Sequence, residues 1–181
     1  MVTQALFTAL CGLVAAQRLA ELDASKQNEE RLLARGGREH GAGHFAAMRA
    51  LHAGWLVSCC AEVWLLERPF TLELALPMLV LFATGQCLRL SARRALSGRW
   101  SVRVITLPGV PLVTSGPYRF LRHPNYLGVV LELAALPLVH GAWLTAIVFS
   151  LLNALVLAVR IRHEEAALAL DSGLLAQGGP R

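Results

Sequence analysis

"YLGVVLELAALPLVHGAWLTAIVFSLLNALVLAV", residues 126–159, holds a single charged side chain, Glu132, in its whole length. A helix crosses bilayer hydrocarbon in about 20 apolar residues, so this run is too long for one span. It is interrupted at "LVHGAW", where His140 and Gly141 stand between two apolar arms. A polar residue beside a glycine is turn chemistry, not helix interior. The run therefore predicts a tight helical hairpin, with one arm over 126–139 and the other over 142–159. The first arm is short for a full crossing unless flanking residues extend it.

Outward from the hairpin, three more apolar runs cover about 2–22, 46–66 and 70–90. The mean hydropathy is +0.51, and 16% of residues are charged, where soluble chains carry about 25%. At 181 residues the chain fits one domain. The fold class expected is all-α: a polytopic integral membrane protein of about five transmembrane helices, one of them crossing only in part. No positive segment precedes the first apolar run, so it reads as a retained anchor helix and not as a cleaved signal.

A net charge of +5 and a pI near 9.6 raise nucleic acid as a partner. The placement of the basic residues argues against it. Lys26, Arg31, Arg35 and Arg38 fall between the first two runs, and the stretch from the end of the third run to the hairpin carries Arg89, Arg93, Arg94, Arg99, Arg103, Arg119 and Arg122. Arg160, Arg162 and Arg181 follow the last run, whereas Arg68 alone falls on the other side. By the positive-inside rule this places the N-terminus outside and both basic loops and the C-terminus in the cytoplasm. Cys11, Cys59, Cys60 and Cys87 sit in apolar runs without metal-ligand spacing and read as small packing residues. His40 and His44 lie four apart in a glycine-rich linker without a third ligand, so no metal site is assigned. Trp55, Trp64, Trp100 and Trp143 suit interface belts.

Charged and polar side chains inside membrane spans are costly and face the protein interior or a wet cavity. Asn125 and Glu132 are two helical turns apart on the first arm. Asn153, Arg160 and Glu164 follow at spacings of seven and four on the second. If the arms pack together, the two stripes are expected to meet in a pocket open to the cytoplasm. An ordinary boundary ion pair between Arg160 and Glu164 is the plainer alternative. Facing these residues, "LPGVPLVTSGPYRFLRHPNYLG" (107–128) concentrates four prolines and two tyrosines. Prolines stiffen such a segment, which can then present backbone groups to a nucleotide-like ligand.

"LVTSGPYRFLRHPNYLG" followed by "RIRHEEAAL" resembles the isoprenylcysteine carboxyl methyltransferase family of integral-membrane enzymes, which use S-adenosylmethionine. "RLAELDASKQNEERLLARGG" and "RWSVRVITLPGVPLVTSGPY" extend the resemblance over about 17–168, toward a bacterial branch that includes alkylpyrone and alkylresorcinol O-methyltransferases. The resemblance implies cofactor contacts at Pro111, Leu112, Val113, Tyr118, His123, Pro124, Asn125 and Tyr126. Glu164 completes the pocket with Glu165 as its neighbour, and Arg160 holds the acceptor group. The tail "ALDSGLLAQGGPR" departs from the family's aromatic-rich ending. The function expected is methyl transfer to the oxygen of a lipophilic acceptor, an alkylpyrone, an alkylresorcinol or a prenylcysteine carboxylate. An NADPH-dependent sterol or lipid reductase and a non-catalytic membrane scaffold are the rival readings.

Overall fold

The computed structural model of the chain describes residues 1–40 and 44–177, the side chains of His44 and of 171–177 excepted. Gly41 to Gly43, Arg181 and the His44 half of the His40/His44 pair thus lie outside the described residues. The chain is 78% helical. Among the described residues five α-helices run in order: α1 (Val2–Ala34), α2 (His44–Leu65), α3 (Leu72–Leu96), α4 (Pro124–Leu138) and α5 (Trp143–Gln177). Among the described residues three helical stretches, Val2–Ala34, Leu72–Arg99 and Trp143–Leu170, are long and apolar enough to cross a membrane. At 15 residues α4 is shorter, and α2 carries Arg49, His52 and Glu62 along its length.

The hairpin forms where the sequence breaks. Gly141 adopts φ +67°, a conformation open to glycine and strained for side-chain-bearing residues. Its N–H bonds to the Leu138 carbonyl at 3.2 Å, and the Ala142 N–H reaches back to the Pro137 carbonyl at 3.0 Å. This paired closure of the last helical turn satisfies carbonyls that would otherwise be orphaned. The carboxylate of Glu62, on α2, then receives the N–H groups of Leu144 at 3.1 Å and Thr145 at 2.6 Å at the start of α5. It also accepts the Thr145 hydroxyl and the Arg68 guanidinium. A negative charge there complements the helix dipole.

α4 is the central helix, packed between α3 and α5, while α2 bridges α5 and α1. Val129, Leu133 and Leu136 of α4 join Phe7 and Cys11 of α1, Trp55 and Cys59 of α2 and Phe82 of α3 in the buried core. α3 and α4 touch through backbone at Gly85 and Gly128: a Cβ on Gly85 would stand 2.9 Å from the Gly128 carbonyl oxygen. Small residues at a crossing are the usual means of close helix approach in membranes.

Several expectations need correction. α1 runs past 22 to Ala34, because "DASKQNEERLLA" is made of residues compatible with a helix although polar. An all-α fold omits a two-stranded antiparallel ribbon, β1 (Arg38–His40) with β2 (Val104–Thr106), whose register pairs Glu39 with Ile105. Arg89, Arg93 and Arg94, counted above as loop charges, lie within α3, and Lys26 and Arg31 lie within α1. Trp55 and Trp100 are buried and belong to no interface belt.

Candidate active site

The loop from η-turn to helix delivers the polar groups. Residues 116–119 form a short 3-10 turn that presents Tyr118, and Pro124 starts α4. The missing N–H of a proline costs nothing at a helix start. One turn of α4 then carries Asn125 and Tyr126 inward, while the facing turns of α5 bring Arg160 and Glu164.

Tyr126 is the hub. Its hydroxyl donates to Glu164 Oε2 and accepts from Arg160 Nε at 2.7 Å. Arg160 and Glu164 therefore share one oxygen between them; they do not form the simple boundary pair considered above. The Arg160 guanidinium also donates to the Val102 carbonyl and touches Met48 Sδ at 3.6 Å. His123 stacks on the Tyr126 ring with centroids 5.4 Å apart, and its Nε2 lies 3.2 Å from Glu165 Oε1. Burial, then the negative charge of Glu164, pushes the Tyr118 hydroxyl up to about 12. It remains a neutral phenol across the physiological range.

Two cavities flank this hub. The smaller, of about 230 Å³, is roofed by β2 and the proline-bearing loop and takes in Leu112, Val113, Tyr118, His123 and Glu164. The larger, of about 770 Å³, runs between α1, α2 and α5 and is mainly apolar, with Leu19, Leu22, Leu56 and Val57 on its walls. Trp100, Ser101, Asn125, Tyr126 and Arg160 line both. They form a common partition.

Of the residues expected from the sequence, Leu112, Val113, Tyr118, His123, Asn125, Tyr126, Arg160 and Glu164 come together around the smaller cavity. Pro111, Pro124 and Glu165 do not line it. The Pro111 carbonyl accepts Arg99 at 3.0 Å and pins the loop, Pro124 opens α4, and Glu165 holds His123.

The expected meeting of the Asn125/Glu132 stripe with α5 holds at Asn125, which lines the smaller cavity with Arg160 and Glu164, and fails at Glu132. Asn125 accepts from Arg89 Nε at 3.4 Å, and the wholly buried Glu132 turns to Arg18 of α1 and Arg89 of α3. A buried carboxylate goes to the nearest guanidinium, and the α4 face opposite α5 supplies two. Trp100, Ser101 and Arg89 were missed as lining residues. The aromatic "RW" at 99–100 beside the resembling segment was the available signal for Trp100; Arg89 gave none beyond its position in an apolar run.

The family model of the isoprenylcysteine carboxyl methyltransferase family matches residues 78–170. An uncharacterised protein of Bacillus subtilis, YpbQ, is 35% identical over 164 residues, 90% of this chain and 96% of its own. An uncharacterised protein of Haemophilus influenzae is 29% identical over 159 residues, 86% of this chain and 91% of its own. No solved structure matches the chain.

Proposed function

The chain belongs to the isoprenylcysteine carboxyl methyltransferase family, and from that premise we propose that it is an S-adenosylmethionine-dependent O-methyltransferase of the membrane acting on a lipophilic acceptor. The observation that carries this reading is the partition: a smaller cavity with the greater share of polar lining and a larger, more apolar one back onto the same Tyr126 and Arg160. Methyl transfer between a polar nucleoside and a greasy acceptor needs that arrangement, two unlike chambers with one shared reactive boundary.

The residues of the smaller cavity fit the donor on their chemistry. Glu164 suits an ammonium or ribose hydroxyls, the faces of Tyr118, His123 and Tyr126 suit a sulfonium and an adenine, and Arg99 and Arg103 suit a carboxylate. When bound, S-adenosylmethionine supplies an electrophilic methyl on a positively charged sulfur. The protein's own contribution is positioning. Tyr126, held by Glu164 and Arg160, fixes the partition, and Arg160 orients an anionic acceptor oxygen without acting as a base. Holding reactants in line is the main catalytic lever for such a displacement. The larger cavity takes the acceptor, either an alkylpyrone or alkylresorcinol oxygen or a prenylcysteine carboxylate. In this reading five helices cross the bilayer, with the N-terminus outside and the site and C-terminus in the cytoplasm.

Calorimetry on the folded, detergent-solubilised protein tests it. S-adenosylhomocysteine is expected to bind, and NADPH is expected not to compete. Absence of heat with the former, or displacement of a labelled donor by NADPH, sinks the proposal. Lipid extracts from cells expressing the active protein are expected to gain one methyl in mass relative to an Arg160→Ala control.

A further inference from the structure

The larger cavity carries charge that the Tyr126–Arg160 hub does not use. Where α1, α3 and α4 meet, three guanidinia face two carboxylates. Arg18 pairs with Glu21 at 2.6 Å and with Glu132, Arg89 with Glu21 at 2.6 Å and Glu132 at 2.9 Å, and Arg93 with Glu21 at 2.9 Å. Both oxygens of each carboxylate are already engaged. One positive charge is left over, shared among Arg18, Arg89 and the quarter-exposed Arg93, and Arg18 Nε is buried with no hydrogen-bond partner.

Arg18, Glu21 and Arg89 open onto the larger cavity. The cluster adjoins the partition through Arg89, which donates to Asn125 at 3.4 Å, and extends away from the hub to Glu132, six residues beyond Tyr126 and about 9 Å along α4 at 1.5 Å per residue. A surplus cation beside an apolar void is costly unless an anion joins it. Arg18 and Glu21 also precede the residues that match the family.

We propose that the Arg18–Arg89 end of the larger cavity is an anion site, which takes the acidic group of an amphiphile whose apolar chain fills the rest of the space. The inference rests on the assignment of this cavity to the acceptor. The shared chemistry is a carboxylate, phosphate or phenolate on an apolar chain, and it has two sources. One is the acceptor itself, bearing an acidic group about two helical turns from the oxygen that is methylated. The other is an anionic lipid of the bilayer.

The test uses the whole protein in uncharged maltoside detergent at low salt, without nucleotide, titrated with dodecyl phosphate and with dodecanol. The phosphate is expected to bind the wild type at least about tenfold more tightly than the alcohol, the worth of one charged hydrogen bond. Arg18→Gln narrows that preference to below about threefold and leaves S-adenosylhomocysteine binding unchanged. Displacement of dodecyl phosphate by phosphatidylglycerol in mixed micelles identifies a bilayer lipid as the occupant, and failure to displace it identifies a single-chain acid. Equal affinity of the wild type for phosphate and alcohol overturns the site, as does an equal loss of both probes in Arg18→Gln. If that variant does not fold, the wild-type ratio decides alone. A protein that prefers the phosphate but binds no S-adenosylhomocysteine keeps this site and loses the methyltransferase reading.

Discussion

Replacing Tyr126 by phenylalanine removes one oxygen from which two charged side chains hang, Glu164 and Arg160. Hydrogen bonds to charged groups contribute roughly 1.5–3 kcal/mol each. Tyr126→Phe is therefore expected to lower kcat/KM about ten- to hundredfold and to lower the thermal midpoint as well, as read by methylation assay and scanning calorimetry. Tyr118 gives a pH signature of stability. Its phenol titrates near 10.0 when unfolded and is pushed up to about 12 when folded, so the folded chain holds the proton more tightly. Its stabilising contribution is whole below pH 10 and is lost as pH climbs toward 12. Tyr118→Phe is expected to flatten that alkaline loss in a series of melting curves. At this scale the sequence was informative where residues sit close together in the chain: Tyr118, His123, Asn125 and Tyr126 lie within nine positions of one loop and its helix. Arg18, Glu21, Arg89 and Glu132 were opaque. Their partners come from three helices, and no spacing along one helix encodes a contact made across three.

The crossing of α3 and α4 sets the geometry of the partition, since Arg89 and Asn125 sit one turn from it. A methyl group on Gly85 would meet the Gly128 carbonyl at 2.9 Å and Glu132 Cγ at 3.0 Å. Gly85→Ala is expected to cost about 1–3 kcal/mol, the usual penalty of overpacking. Gly12→Ala, with nothing within 4 Å of the new carbon, is expected to be neutral or slightly stabilising; thermal midpoints in detergent separate the two. Glu62→Gln keeps the shape of the α5 cap while removing its charge, and is expected to cost about 1–2 kcal/mol. Glu62→Ala is expected to cost more, because the Thr145 N–H and hydroxyl lose their acceptor. The helices were legible wherever apolar runs continue unbroken, and the hairpin was legible in the His140–Gly141 break. Helix ends were not, since the polar residues that prolong α1 carry no hydropathy signal. Strands of three residues, paired across 66 positions of chain, leave no periodicity to find.

At the scale of the molecule, three helical stretches among the described residues have the length and apolarity to span a membrane, while α4 lies in the middle of the packing. Burial on both flanks explains why α4 is the shortest helix and yet the one that carries the hub. Its buried flanks are supported by protein, while Leu127 and Val130 are exposed. Its position also accounts for the partition having two wet or greasy faces and a thickness of single side chains. With Tyr126, Arg160, Asn125 and Trp100 each lining both chambers, occupancy on one side is expected to act on the other. Binding free energies so linked are reciprocal. In the proposed enzyme, the factor by which a non-methylatable acceptor analogue tightens S-adenosylhomocysteine is expected to equal the factor by which the nucleoside tightens the analogue, and calorimetry in both orders measures it. Tyr126→Phe is expected to bring that common factor toward one. A side chain that belongs to two rooms acts as a thermodynamic hinge pin: the pair of guests arrives and departs as one cooperative event, and neither chamber has an affinity that can be quoted without naming the contents of its neighbour.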